Sequence, residues 1–152
     1  MPENNNGNNL HSGLDYYHYR KWNVKAVGEN SITLSLHSPD GDQGYPGTFN
    51  VDVTYTLTDD NELCIEYYGV PDADTVVNMT NHSYFNLDGH ASGNILEHVL
   101  WVNSDGFTAT DIELIPTGEI VPVDGTPMDF RIPKKVGRDI EEQYEPLIFG
   151  GG

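Results

Sequence analysis

The chain has 152 residues, a length typical of one domain. Its 24 acidic and 7 basic residues give a formal net charge of −17. This charge argues against binding to nucleic acid or to an anionic membrane surface, because both depend on clustered Lys and Arg.

Cysteine content and hydropathy bear on the compartment. The single cysteine, Cys64, excludes an internal disulfide and is expected to be a reduced thiol in a strand. The sequence has no run of about 18 apolar residues, so it predicts no membrane-spanning helix. The first residues lack the basic and apolar regions of a signal peptide, which favours the cytoplasm.

Alternating apolar and polar residues predict a series of strands. In residues 48–57, the apolar side chains from Phe49 to Leu57 fall on one face, as in a half-buried antiparallel strand. Before it, Pro46 and Gly47 suit the two central positions of a type II turn. The predicted strands are 22–27, 31–36, 48–57, 62–67, 75–80 and 95–102.

Glycine and proline divide the rest of the chain into short strands and turns. Only residues 133–144 are predicted to hold a helical turn or two. No window keeps the apolar spacing of an amphipathic helix. The predicted fold class is therefore all-β and antiparallel, either a sandwich or part of one.

Two segments, 8–13 and 80–89, combine residues suited to proton transfer on a neutral polar substrate. Each holds a histidine, which titrates near neutral pH, beside Asn and Ser, which match hydroxyl groups. The second also holds aromatic rings, which offer flat faces to a sugar. This combination of polar and aromatic residues indicates a carbohydrate substrate. The alternative is structural, with His82 capping a loop and Asn81 and Asn86 satisfying turns.

Three other features are candidates for function. Residues 40–44 resemble a calcium loop but lack the acidic ligand and flanking helices of an EF-hand, so we predict no metal site. The aromatic residues between Tyr16 and Trp22 are interpreted either as a sugar-stacking surface or as core and rim of a sandwich. Cys64 has no local histidine partner and is a weak candidate for a nucleophile.

The Thr-Asn-His-Ser-Tyr-Phe-Asn-Leu sequence at 80–87, followed by Gly89, closely resembles the signature of the aldose 1-epimerases, the galactose mutarotases. Other segments agree in order. Residues 9–13 are similar to the family's Asn-x-Leu-His-Gly-Gly loop, with Ser12 where Gly is common. Further similarity lies in residues 42–47, 54–57, 115–120 and 128–131. The resemblance implies a galactose mutarotase-like β-sandwich.

The resemblance also implies an isomerase that interconverts the α- and β-anomers of an aldohexose such as galactose or glucose, without cofactor or metal. A glutamate takes the proton of the anomeric hydroxyl, a histidine protonates the ring oxygen, and the opened ring recloses on the other face. His82 matches the general acid. His11 matches a second histidine that contacts the sugar, and Ser83 and Tyr84 match positions that line the site.

Other parts of the family pattern have no match in residues 1–152. The family's arginine precedes the segment matched by 9–13, and its aspartate and catalytic glutamate follow the matched region. Glu97, Glu113 and Glu119 lie in no matching motif. We therefore expect residues 1–152 to be part of a single aldose 1-epimerase domain, truncated at both ends and inactive alone. A non-catalytic carbohydrate-binding β-sandwich and a structural half-domain are the alternatives.

Overall fold

The structure, a computed structural model, describes residues 1–150. They form two compact units, Met1–Asn81 and the residues from His82 onward. The strands are β1 (Asn23–Val27), β2 (Ser31–Ser38), β3 (Phe49–Leu57), β4 (Leu63–Pro71), β5 (Val99–Leu100), β6 (Gly106–Thr110), β7 (Pro116–Pro122) and β8 (Lys134–Lys135). The helical elements are the 3₁₀ turns Tyr17–Tyr19, Asp42–Gly44 and Val136–Arg138, and the short helix α1 (Glu145–Gly150).

The first unit is built on a four-stranded antiparallel sheet in the order β1-β2-β3-β4. Its register places Leu36 opposite Val51, and Val53 opposite Tyr67. Because side chains alternate along each strand, this register collects the apolar residues of β2, β3 and β4 on one face. The pairing of β1 with β2 shifts between Val24 and Ala26, where the edge strand is irregular.

The core of the first unit lies at one end of that apolar face. Leu36, Phe49 and Val51 are buried there, with Tyr17 and Met79 among the side chains packed over them. Val51 is only 1% exposed. Burying each such side chain contributes about 1.5–3 kcal/mol, so this cluster is the main local source of stability.

Cross-strand polar pairs cover the opposite face of the sheet. The hydroxyls of Thr33 and Thr54 are hydrogen-bonded at 3.0 Å, and His37 Nδ1 lies 2.8 Å from Asn50 Oδ1. Pairs of this kind fix strand register, since a shift of one residue would exchange the two faces.

The second unit contains two small antiparallel pairs, β5 with β8 and β6 with β7. Arg131 ties the β6–β7 hairpin to the turn that follows it. Its guanidinium contacts Asp129 through Nε at 2.9 Å and Nη2 at 2.6 Å, Asp124 at 2.8 Å, and Asp105 at 3.2 Å. Asp105 precedes β6 and Asp124 follows β7, so a single cation joins three places in the chain.

The predicted strands are confirmed most fully where they pair with each other. The first four correspond to β1–β4. The prediction of a strand at 75–80 is wrong, because no strand pairs with this segment in the described residues. The one predicted at 95–102 shrinks to β5. Residues 133–144 hold a 3₁₀ turn, and the α-helix begins only at Glu145. No helix within residues 1–150 has the length and apolar character to cross a membrane.

Candidate functional site

His11 lies in a turn with an unusual backbone. We call residues 9–13 the His11 turn. His11, Ser12 and Gly13 have consecutive positive φ angles of 50°, 70° and 113°. A left-handed residue with a side chain costs roughly 1–2 kcal/mol. Gly13 is required for space as well, because a Cβ there would lie 2.5 Å from Pro2 Cγ and 2.8 Å from Gln43 Oε1.

Residues of the 38–47 loop hold the His11 turn from one side. Tyr45 donates its hydroxyl to Asn9 Oδ1 at 3.2 Å. Gln43 Oε1 accepts the backbone N–H groups of Leu14 at 2.9 Å and Asp15 at 3.2 Å. The turn is therefore fixed by side chains that are distant from it in sequence.

A charged pair anchors that loop. Arg20 Nη2 donates to Asp42 Oδ1 at 2.9 Å, and Nη1 contacts Oδ2, which also accepts the Ser38 hydroxyl. The Arg20 hydrogen bonds, with those of neighbouring side chains, lower the pKa of Asp42 from its ordinary 3.8. The same contacts raise the pKa of Arg20, so both groups are charged at neutral pH.

A cleft of about 410 Å³ opens beside the His11 turn, entirely within the first unit. This volume lies in the range of roughly 300–1,000 Å³ typical of small-molecule sites. Asn9, His11 and Asn78 bring polar groups to it, while Phe49 and Met79 bring apolar surface. The cleft thus combines hydrogen-bonding groups with apolar surface, the lining typical of a small-molecule site.

The aromatic residues between Tyr16 and Trp22 had two interpretations, a sugar-stacking surface or the core and rim of a sandwich, and the structure divides them between the two. Tyr17 and Trp22 pack on the core. Tyr16 meets the His11 ring edge-on at 6.1 Å and stacks on His18 at 5.0 Å, measured between ring centroids. Tyr19 is 72% exposed. The outer rings therefore form an aromatic group beside His11.

The signature segment, residues 80–89, presents its histidine and aromatic side chains at the surface. His82, Ser83 and Tyr84 are exposed, and the His82 and Tyr84 ring centroids are 5.3 Å apart. Asn86 stabilises the turn, since its Oδ1 accepts the Asp88 N–H and its Nδ2 donates to Gly93 O, both at 3.1 Å. The structural interpretation is thus confirmed for Asn86.

The surroundings of the other candidate residues, Glu97 and Cys64, indicate structural roles. Glu97 forms an exposed ion pair with Lys135 at 2.6 Å. Cys64 is a half-buried free thiol in β4. Across residues 1–150, no group of three or more His, Cys, Asp or Glu side chains is arranged to hold a metal ion. Sequence reasoning did not identify the hydrogen bonds by which Asn4, Gln43 and His98 support the candidate segments.

Comparison with known proteins shows the family. The aldose 1-epimerase family model matches residues 1–148. The chain is 45% identical to the aldose 1-epimerase of Haemophilus influenzae over 140 residues, which are 91% of this chain and 41% of that enzyme. It is also 45% identical to the galactose mutarotase of Sus scrofa, over 91% of this chain and 40% of that protein.

Solved structures agree. An aldose epimerase homologue from C. elegans superposes with a TM-score of 0.82 at 39% identity, over 93% of this chain and 44% of that one. The galactose 1-epimerase of Lactobacillus acidophilus gives a TM-score of 0.86 at 28% identity, over 100% of this chain and 45% of that one. This confirms the predicted all-β, mutarotase-like sandwich class.

The chain belongs to the aldose 1-epimerase family. It spans about two fifths of the length of the curated relatives it matches.

Proposed function

We propose that residues 1–152 are part of a single aldose 1-epimerase domain that interconverts the α- and β-anomers of an aldohexose such as galactose or glucose. The family match over residues 1–148 carries this proposal. The cleft that His11 lines, with its mixed polar and apolar surface, supports it.

In this proposal His82 donates a proton to the ring oxygen of the sugar while a carboxylate base removes the proton of the anomeric hydroxyl. The C1–O5 bond breaks, C1 rotates, and reclosure returns both protons with the roles of acid and base exchanged. His11 contacts the sugar and polarises its ring oxygen, and Ser83 and Tyr84 line the site. We assign the base to no glutamate within residues 1–152.

We further propose that the partner is a free hexose and that the protein acts in the cytoplasm. The net charge of −17 disfavours nucleic acid and anionic membranes as partners. The single free cysteine, Cys64, suits a reducing compartment.

Polarimetry and sugar-binding NMR on the complete enzyme separate catalysis from simple binding. Freshly dissolved α-D-galactose should lose optical rotation faster with the enzyme than in buffer, in proportion to enzyme concentration. Saturation transfer from protein to galactose without any acceleration would instead indicate the non-catalytic carbohydrate-binding alternative. Neither acceleration nor transfer, with both galactose and glucose, would contradict the proposed substrate class.

A further inference from the structure

The side chain of Asn4 spans both ends of the strained part of the His11 turn. Its Oδ1 accepts the Leu10 N–H at 2.7 Å. Its Nδ2 lies 3.0 Å from Leu10 O and 2.6 Å from Gly13 O, with the Tyr16 hydroxyl at 3.2 Å. The residues at which it bonds the backbone, Leu10 and Gly13, directly flank His11 and Ser12.

These bonds require a carboxamide. A backbone N–H needs an acceptor and the two backbone carbonyls need two donors, and only Asn or Gln carries an acceptor and two donors on one planar group. The turn has one backbone hydrogen bond of its own, from Gly13 N to Leu10 O at 3.1 Å. One such bond offsets only about 0.5–1.5 kcal/mol, less than two left-handed side-chain-bearing residues cost.

We infer that Asn4 is a positioning residue that holds the left-handed turn at His11 and Ser12 and thereby sets the place of the His11 imidazole in the cleft. The catalytic consequence rests on the proposed function, in which His11 contacts the sugar. Asn4 itself acts only through the backbone of Leu10 and Gly13.

The substitution Asn4→Asp tests this with little change in shape. An aspartate keeps one acceptor for Leu10 N–H but turns the donor into a second oxygen, which faces the carbonyls of Leu10 and Gly13. The matched control is Asn6→Asp, which adds the same charge two residues away, at an exposed position. Asn4→Ala removes both the donors and the acceptor without adding charge, and it replaces Asn4→Asp if that variant fails to fold.

The first readout is NMR of the labelled complete enzyme, because backbone shifts and couplings report left-handed φ directly. We expect left-handed signatures at His11 and Ser12 in the wild type and in Asn6→Asp, and their loss in Asn4→Asp or Asn4→Ala. The signals of Leu36 and Val51 show that the sheet stays folded. Left-handed signatures that persist without Asn4 would overturn the inference, as would their absence from the wild type.

The second readout is the kinetics of mutarotation in the complete enzyme. Misplacing a substrate-contacting group by about 1 Å can cost about 10²-fold in rate, so Asn4→Asp should lower kcat/KM by about that factor while Asn6→Asp leaves it unchanged. If the NMR shows the turn lost but kcat/KM is unchanged, Asn4 still holds the turn, and it is the proposed role of His11 that fails.

Discussion

The backbone N–H of Leu87 donates a hydrogen bond to Nε2 of His98 at 2.9 Å, across 11 positions of the chain. An imidazole that accepts at Nε2 carries its proton on Nδ1, which here lies 3.9 Å from the Asp88 carboxylate. The ring is largely buried, with 14% of the side chain exposed. A residue outside the signature segment thus fixes the end of that segment.

Replacing His98 should therefore loosen the signature segment. His98→Leu keeps similar bulk but removes the acceptor of the exposed Leu87 N–H, so we expect a loss of about 0.5–1.5 kcal/mol in the free energy of unfolding and faster amide exchange at Leu87. His98→Gln retains an acceptor and should lose less. Urea unfolding and hydrogen exchange measure both, and equal losses in the two variants would refute this role of the hydrogen bond.

Ser12 occupies a position that suits glycine, at φ 70°. Ser12→Gly should raise the free energy of unfolding by up to about 1 kcal/mol, because glycine takes left-handed φ without the steric cost. Ser35→Gly is the matched control. It lies within β2, where glycine should lower the free energy of unfolding by roughly 0.5–1 kcal/mol. Destabilisation of similar size at both positions would contradict the left-handed conformation of Ser12.

The Arg20–Asp42 pair should make stability depend on pH. Asp42→Asn removes a charge-assisted bond between side chains that are 13% and 12% exposed, and should cost about 2 kcal/mol at pH 7. Because folding lowers the pKa of Asp42 from 3.8, its contribution is complete above that value and is lost as the pH falls below it.

The difference in unfolding free energy between the wild type and Asp42→Asn should accordingly shrink as the pH falls below 3.8. Asp60→Asn makes the same change of charge in an exposed turn and should have almost no effect. A difference that stays constant down to low pH would show that the carboxylate charge of Asp42 does not contribute to folding.

Asp129, in the second unit, is another carboxyl group whose pKa can be tested by titration. Hydrogen bonds from the Arg131 side chain and backbone lower the pKa of Asp129 from 3.8 to about 2. A ¹³C NMR titration of the carboxyl carbons should give that value in the wild type and a higher value in Arg131→Met, which loses the guanidinium bonds but keeps the backbone N–H bond to Asp129. Titration of Asp129 near 3.8 in the wild type would mean that the pair does not form in solution.

The four-stranded sheet could be predicted because its information is local. From Phe49 to Leu57 apolar and polar residues alternate strictly, and the neighbouring strands follow through short turns. Residues 75–80 have a similar β-prone composition, yet they form no strand, since propensity does not supply a pairing partner. They line the cleft instead.

The candidate site was predictable only in part, for the same reason. The signature sequence and its resemblance singled out His82 and His11. The contacts that hold these segments join residues distant in sequence, such as Gln43 with Leu14, and no local pattern reveals them. The left-handed backbone at His11 was equally hidden, because few residues other than glycine adopt it.

The measurement that tests the central claim most directly is the mutarotation rate of fresh α-D-galactose in the complete enzyme with His82→Asn. Losing a general acid should lower kcat by about 10²–10⁴-fold. His90→Asn, at an exposed position shortly after the signature segment, is the control and should leave the rate unchanged. A His82→Asn enzyme with the kcat of the wild type would contradict the assignment of His82 as the acid.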